Sequence, residues 1–264
     1  MTNMAFSRII TALSLGMVSL HGEEIGVLAN VNGNLTALDA VLSALKSRNI
    51  VNIVVLGDIC GTGPRNDACI TRLKNAEGIR CLSGAWDLHF AGTANLASND
   101  PDFIWFLEWS KGKISKENET WLRNLPPIIN DEKWSYTYGQ FTAGSHASFP
   151  KKMTDVRASF DGLYRLGKKL GFVGGNGNPT MFFDSNPIVF SQDQTCTVDQ
   201  KTGTILNVGS VGEPKDDDNR SCFAIYNGKK YELIRLKYDI ETEATEMIRN
   251  GYPQGLIDRI RLGR

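Results

Sequence analysis

The chain has 264 residues, 41% of them apolar, with Lys+Arg and Asp+Glu equal at 29 each. That length and apolar content suffice for one large core or two small ones. The balanced charge excludes a global field that would draw the chain to nucleic acid or anionic lipid. Five cysteines (Cys60, Cys69, Cys81, Cys196 and Cys222) are scattered and form no C-x-x-C pair. They argue for free thiols in a reducing compartment rather than a disulfide scaffold.

At the N-terminus Arg8 precedes an apolar stretch from Ile9 to Leu20. The stretch is short enough for a secretory signal and too short to span a bilayer. The single Arg and the lack of an A-x-A-like cleavage site before Glu23 weigh against export. A non-native leader, or a true start at Met17, explains it equally well. Residues 1–22 are therefore an extension before a single domain, 23–264, for which a cytoplasmic location is expected and export is left open.

Glu24 to Asn30 reads as a strand, and Leu35, Leu38, Val41, Leu42 and Leu45 then fall on one helical face ending near Arg48. Val51–Leu56 is almost wholly apolar, as expected of a strand buried on both faces. A Gly-rich turn carrying Asp58 follows, then a helix with Cys69, Ile70 and Leu73 inward, then a strand near Ile79–Leu82. This β-α-β-α-β opening implies a parallel sheet with helices packed on it. Residues 99–127 read as helical and aromatic, with Phe103, Trp105, Phe106, Trp109 and Trp121. Between Phe103 and Trp109 no basic residues interleave as a base-stacking surface requires. From Ile128 the pattern shifts to short strands: Trp134–Tyr138, Phe141–Gly144, Phe172–Gly174, Pro187–Phe190, Ile205–Val208, Cys222–Tyr226 and Tyr231–Tyr238. A closing helix carries Ile240, Ala244, Met247 and Ile248. The fold class expected is α/β, two packed mixed sheets flanked by helices.

Four loops after strand-like runs carry unusual clusters: Asn30-Val31-Asn32-Gly33-Asn34, Gly57-Asp58 through Gly63-Pro64, Ser83-Gly84-Ala85-Trp86-Asp87, and Gly174-Gly175-Asn176-Gly177-Asn178-Pro179. His146 stands at a further strand end. Loops converging at one sheet edge make a cleft. At Asn30 and Asn32 an Asp-x-His pair would grip a divalent cation. Asn-x-Asn offers neutral amides, poor ligands for zinc, manganese or iron.

In order and spacing these loops resemble the calcineurin-like metallophosphoesterases, in particular the compact bacterial and archaeal phosphodiesterase-like branch. That family reads Asp-x-His-Gly-Asn, Gly-Asp-x-x-Gly-x-Gly-Pro, Gly-Asn-His-Asp, an isolated His, Gly-His-x-His-Pro and a late Asn-Pro-Gly-Ser-Val-Gly. Here the last is Asn207-Val208-Gly209-Ser210-Val211-Gly212. The resemblance runs from about Ile25 to Leu262. It implies that two metal ions would be held at the positions of Asn30, Asn32, Asp58, Ala85, His146, Asn176 and Asn178. Of these, Asp58 (the bridging carboxylate) and His146 keep the family's residue. Trp86 stands where the family has its general-acid histidine, and Asp87 where a residue orients it.

Two-metal hydrolysis relies on both cations to activate water and to neutralise the entering and leaving oxygens. Even outer-shell losses weaken metal affinity about 10–100-fold. No tightly bound cofactor is therefore expected, at most one weak divalent cation on Asp58 and His146. The cleft candidates are Asn30, Asn32, Asn34, Asp58, Trp86, Asp87, His146, Asn176 and Asn178. Asn30 and Asn32 either satisfy turn backbone or contact a ligand. Trp86 either fills the vacated metal volume or offers a stacking face. Asp87 is expected to cap the following helix, His89 to lie at the surface, and Asp58 to pair directly with His146. Cys60 is expected to be a small buried filler.

The reading these residues favour is a non-catalytic pseudoenzyme that binds a small phosphorylated ligand or a protein partner. An active phosphoesterase rebuilt on Asp58 and His146 is the alternative, and a regulatory protein acting through its surface is a third. Neither nucleic acid nor a membrane span is indicated.

Overall fold

The computed structural model describes residues 24–142, 150, 153–183, 186–189, 193–199 and 201–264. The chain begins with β1 (Ile25–Leu28), α1 (Leu35–Ser47), β2 (Asn52–Val55), α2 (Asn66–Lys74), β3 (Ile79–Cys81) and α3 (Ala85–Phe90). Then come α4 (Pro101–Trp109), α5 (Lys116–Arg123), β4 (Ile128–Asn130), β5 (Ser135–Thr137), α6 (Met153–Arg165), β6 (Leu170–Val173), β7 (Thr180–Phe183) and β8 (Asn186–Val189). The last elements are β9 (Gln194–Thr197), β10 (Thr204–Asn207), β11 (Ser221–Tyr226), β12 (Lys230–Leu236), α7 (Ile240–Arg249) and α8 (Gln254–Leu262).

Two six-stranded sheets result, ordered β3-β2-β1-β11-β12-β9 and β4-β5-β6-β10-β7-β8. β1 runs parallel to β2 and antiparallel to β11, so Val27 lies opposite both Val54 and Ala224. The period of two along each strand sorts side chains between layers. Val27, Val54 and Ala224 face a core shared with Tyr136, Phe172 and Leu206 of the second sheet. Leu28, Ile53, Val55 and Phe223 turn the other way, onto Leu38, Val41 and Leu45 of α1 and Ile70 and Leu73 of α2. The outer face of the second sheet, with Val173, Phe182 and Ile205, is covered by Val156, Phe160 and Leu163 of α6. The layers are helix, sheet, sheet, helix, the architecture expected from the sequence. Phe172 is fully buried between the sheets and stacks on Tyr136 with ring centroids 5.4 Å apart. Phe172→Ala should therefore lower the unfolding free energy by about 3–5 kcal/mol, read from the shift in a denaturant midpoint.

Several local expectations are corrected. Val51 is 75% exposed and lies before β2; burial on both faces begins at Ile53. Phe141 and Thr142 lie in a bend rather than a strand. The Phe141 amide donates to Ser159 Oγ of α6 at 3.0 Å, and its ring joins the α6 cluster. Residues 143–144 of that expected strand lie outside the described residues. Ile248 points to solvent, 53% exposed, while Ala244 and Met247 hold the inward face of α7. Among the described residues no helix is long and apolar enough to cross a membrane.

Candidate functional site

The loops after β1, β2 and β3 of the first sheet meet the loop after β6 of the second, at the carboxyl ends of parallel strands. They enclose a pocket of about 100 Å³ lined by Asn30, Asn32, Asp58, Trp86, Gly175, Asn176, Gly177, Glu213 and Lys215. Asn30, Asn32 and Asp58 all take left-handed backbone conformations, with φ of 53°, 52° and 51°. Asn and Asp tolerate that region better than other residues bearing a Cβ. Gly84 is needed for close approach: a Cβ there would stand 2.3 Å from the Asp58 amide nitrogen and 2.4 Å from its Oδ1.

Both asparagine side chains are hydrogen-bonded across the loops. Asn30 Nδ2 donates to Gly209 O, and its Oδ1 accepts from Gly175 N, both at 3.3 Å. The amide thus ties the β1 loop to the β6 and β10 loops. An aspartate at this position would set a carboxylate oxygen against the Gly209 carbonyl. Asn32 Nδ2 donates to Glu213 Oε2 at 3.4 Å, where Thr62 Oγ1 also donates at 3.1 Å. Glu213 Oε1 is 3.9 Å from Arg259 Nη1 of α8.

Asp58 is 6% exposed. Its Oδ1 accepts from Trp86 N at 3.0 Å and its Oδ2 from the Tyr138 hydroxyl at 2.7 Å. Burial, and then the nearby Asp87 carboxylate, push its pKa up to about 7 against the Trp86 amide, the Tyr138 hydroxyl and Lys215. Burial also raises Asp87, although backbone amides of Cys60, Gly84, Ile59 and Asp58 favour its ionised form. Tyr138 is driven well above the usual phenol range by burial and by the Asp58 carboxylate.

Among the described residues the donor set does not fit a pair of divalent cations. Asn30, Asn32 and Asn176 bring neutral amides, Ala85 has no donor atom, and both oxygens of Asp58 already accept hydrogen bonds. Among the described residues no three His, Cys, Asp or Glu side chains gather in a metal-binding group.

Of the candidates, Asn30, Asn32, Asp58, Trp86 and Asn176 share the pocket, whereas Asn34, Asp87 and Asn178 do not line it. Asn34 caps α1, accepting from Ala37 N at 3.0 Å and donating to Gly212 O and Tyr238 OH. Asp87 is wholly buried and accepts from Gly84 N at 2.8 Å and Cys60 N at 2.9 Å, which fixes the start of α3. Asn178 is half-buried in the β6–β7 loop, where its amide bonds Asn176 Oδ1. The Trp86 ring leans on Phe103 and Phe106, with centroids at 5.0 and 5.5 Å, and forms one wall of the pocket. His89, expected at the surface, is partly buried edge-on to Trp86 at 6.3 Å. Cys60 is fully buried in the helix-side core. His146, and with it the expected pairing to Asp58, lies outside the described residues.

Sequence reasoning missed Tyr138, Glu213 and Lys215. In the sequence Tyr138 ends a strand-like run, where an aromatic signals only packing. Glu213 and Lys215 directly follow Gly209-Ser210-Val211-Gly212, and a charged pair so close to that turn was the available signal.

No family model matches the chain. It is 30% identical over 248 residues to an uncharacterized protein of Methanocaldococcus jannaschii, covering 91% of this chain and 98% of that one. Its fold matches the crystal structure of a metallophosphoesterase from Sphaerobacter thermophilus with a TM-score of 0.79 and 25% identity, over 91% of this chain and 99% of that one. A hypothetical protein from Pyrococcus horikoshii matches in fold with a TM-score of 0.70 and 21% identity, over 91% and 98%.

Proposed function

We propose that this chain, which shares the fold of the Sphaerobacter thermophilus metallophosphoesterase, is a non-catalytic calcineurin-like metallophosphoesterase whose cleft binds a ligand or partner without hydrolysing it. The observation that carries this reading is the engagement of Asn30 and Asn32, whose amide donors hold Gly209 O and Glu213. A metal site needs acceptors at those points. Reverting the residues one by one would also break the bonds that now join the loops.

Lys215, which packs beside Gly177, brings positive charge to one side of the pocket. A small phosphorylated ligand or an acidic group of a protein partner suits that side. One weak divalent cation held by Asp58 and His146 is compatible with this role. The rebuilt phosphoesterase keeps one observation in its favour: Asp58 is a buried cleft carboxylate titrating near neutrality, a property common in general acids and bases.

Elemental analysis of untagged, dialysed protein separates the two. Less than one equivalent of transition metal per chain is the expected result. Two equivalents of manganese, zinc or iron surviving dialysis would sink the non-catalytic reading.

A further inference from the structure

A groove of about 740 Å³ lies between α2 and the stretch from the end of α3 to the turn after α4. It shares no lining residue with the cleft around Asp58. Its size falls in the range of small-ligand pockets, roughly 300–1,000 Å³. Phe90 and Trp109, both half-buried, bring aromatic surface to it. Arg65, Arg72 and Lys113 line it against a single carboxylate, Asp67.

Those charges are unequally committed. Asp67 Oδ1 accepts from Ser115 N and Asn118 Nδ2, both at 2.8 Å. Arg65 is paired with Glu243, and Arg72 with Asp39 at 2.7 Å. Lys113 has no carboxylate partner among the described residues, and its ammonium stands 4.1 Å from the centroid of the Trp109 ring. An ammonium without a counter-ion beside a partly exposed indole is complementary to a flat ring carrying a negative group. The ring would cover Phe90 and meet only the groove-side edge of Trp109, which already carries the Lys113 ammonium and stacks on Trp105, and the anion would supply the counter-charge that Lys113 lacks.

We propose that this groove is a second binding site, distinct from the family's cleft, for a small aromatic anion. It does not depend on whether the cleft is catalytic.

Calorimetric titration of the full chain with 1-naphthyl phosphate, 1-naphthoate, 1-naphthol and inorganic phosphate tests it. Both naphthyl anions should bind at least about tenfold more tightly than naphthol or phosphate alone. Tighter binding of the phosphate ester would assign the anion to a phosphoryl group, and equal binding would mean that a carboxylate suffices; either outcome supports the site. Lys113 is exposed, so Lys113→Glu should fold normally. It should weaken both anions at least about tenfold while leaving naphthol unchanged. Asp58→Asn changes any anion binding in the cleft itself, but should leave in place the part of the naphthyl binding that Lys113→Glu removes. Three results would overturn the proposal: no anion binding at millimolar concentration, unchanged binding by Lys113→Glu, or loss with Asp58→Asn alone, which would move the ligand to the cleft.

Discussion

Replacing Asp58 with Asn should remove a large part of the loss of stability that this protein suffers as pH rises from about 4 to 8. The folded pKa of Asp58 is raised to about 7 from an ordinary value of 3.8. Between those values the folded state holds a proton that the unfolded chain has released. Stability from this group is therefore fully present below the unfolded pKa and is lost as pH climbs through the folded one. A shift of that size corresponds to about 2–4 kcal/mol over the window. An asparagine keeps the shape: its Oδ1 can accept from Trp86 N and its Nδ2 can donate to the Tyr138 oxygen. The stability difference between Asp58→Asn and the parent should thus move in the variant's favour by about 2–4 kcal/mol between pH 4 and pH 8. Chemical denaturation at both pH values reads it. A difference that stays constant with pH would show that Asp58 ionises normally in the folded protein. The residual slope in the variant is expected from Asp87 and Glu243, also raised by burial.

Arg235→Ala should bring a loss of about 3–5 kcal/mol, the cost of leaving a buried ion pair without one partner. The Arg235 side chain is fully buried on β12. It bonds both carboxylate oxygens of Asp216 and lies 3.8 Å from Asp218 Oδ2. These aspartates close the loop that begins at Gly209 and delivers Glu213 and Lys215 to the cleft. Without the guanidinium, Asp216 loses its cation, while Asp218 keeps Arg220 at 2.6 Å. The denaturant midpoint should fall with little change in m-value. A loss below about 1 kcal/mol, typical of an exposed pair, would mean that water compensates the loop.

The layer order was legible because apolar residues run almost unbroken through β1 and β2 and recur at helical spacing in α1, as Val27, Leu28, Leu38, Val41 and Leu45 illustrate. The whole of α6 was not. Its inward Val156, Phe160 and Leu163 keep helical spacing, but the helix is far more polar than α1, with Asp155, Arg157, Asp161 and Arg165 on its other faces. The cleft's membership was readable in Asn30, Asn32, Asp58, Trp86 and Asn176, since each sits just after a strand. How the cleft is wired was not. Which end of the Asn30 amide meets Gly209, and that Tyr138 bonds Asp58, depend on contacts between positions far apart in sequence: 179 residues for the first pair and 80 for the second. Asn34 and Asp87 looked like site residues from their motifs, yet their side chains are engaged in capping α1 and fixing the start of α3.

The most direct test of a non-catalytic cleft is turnover of bis(p-nitrophenyl) phosphate by the full chain under excess Mn²⁺, alongside Asp58→Ala prepared identically. Two-metal catalysis needs ligands that Asn30, Asn32 and Ala85 do not supply. Parent and variant should therefore both release nitrophenolate at the rate of buffer with Mn²⁺ alone. Manganese-dependent turnover by the parent that disappears in Asp58→Ala would contradict the non-catalytic assignment and identify the cleft as a working phosphoesterase site.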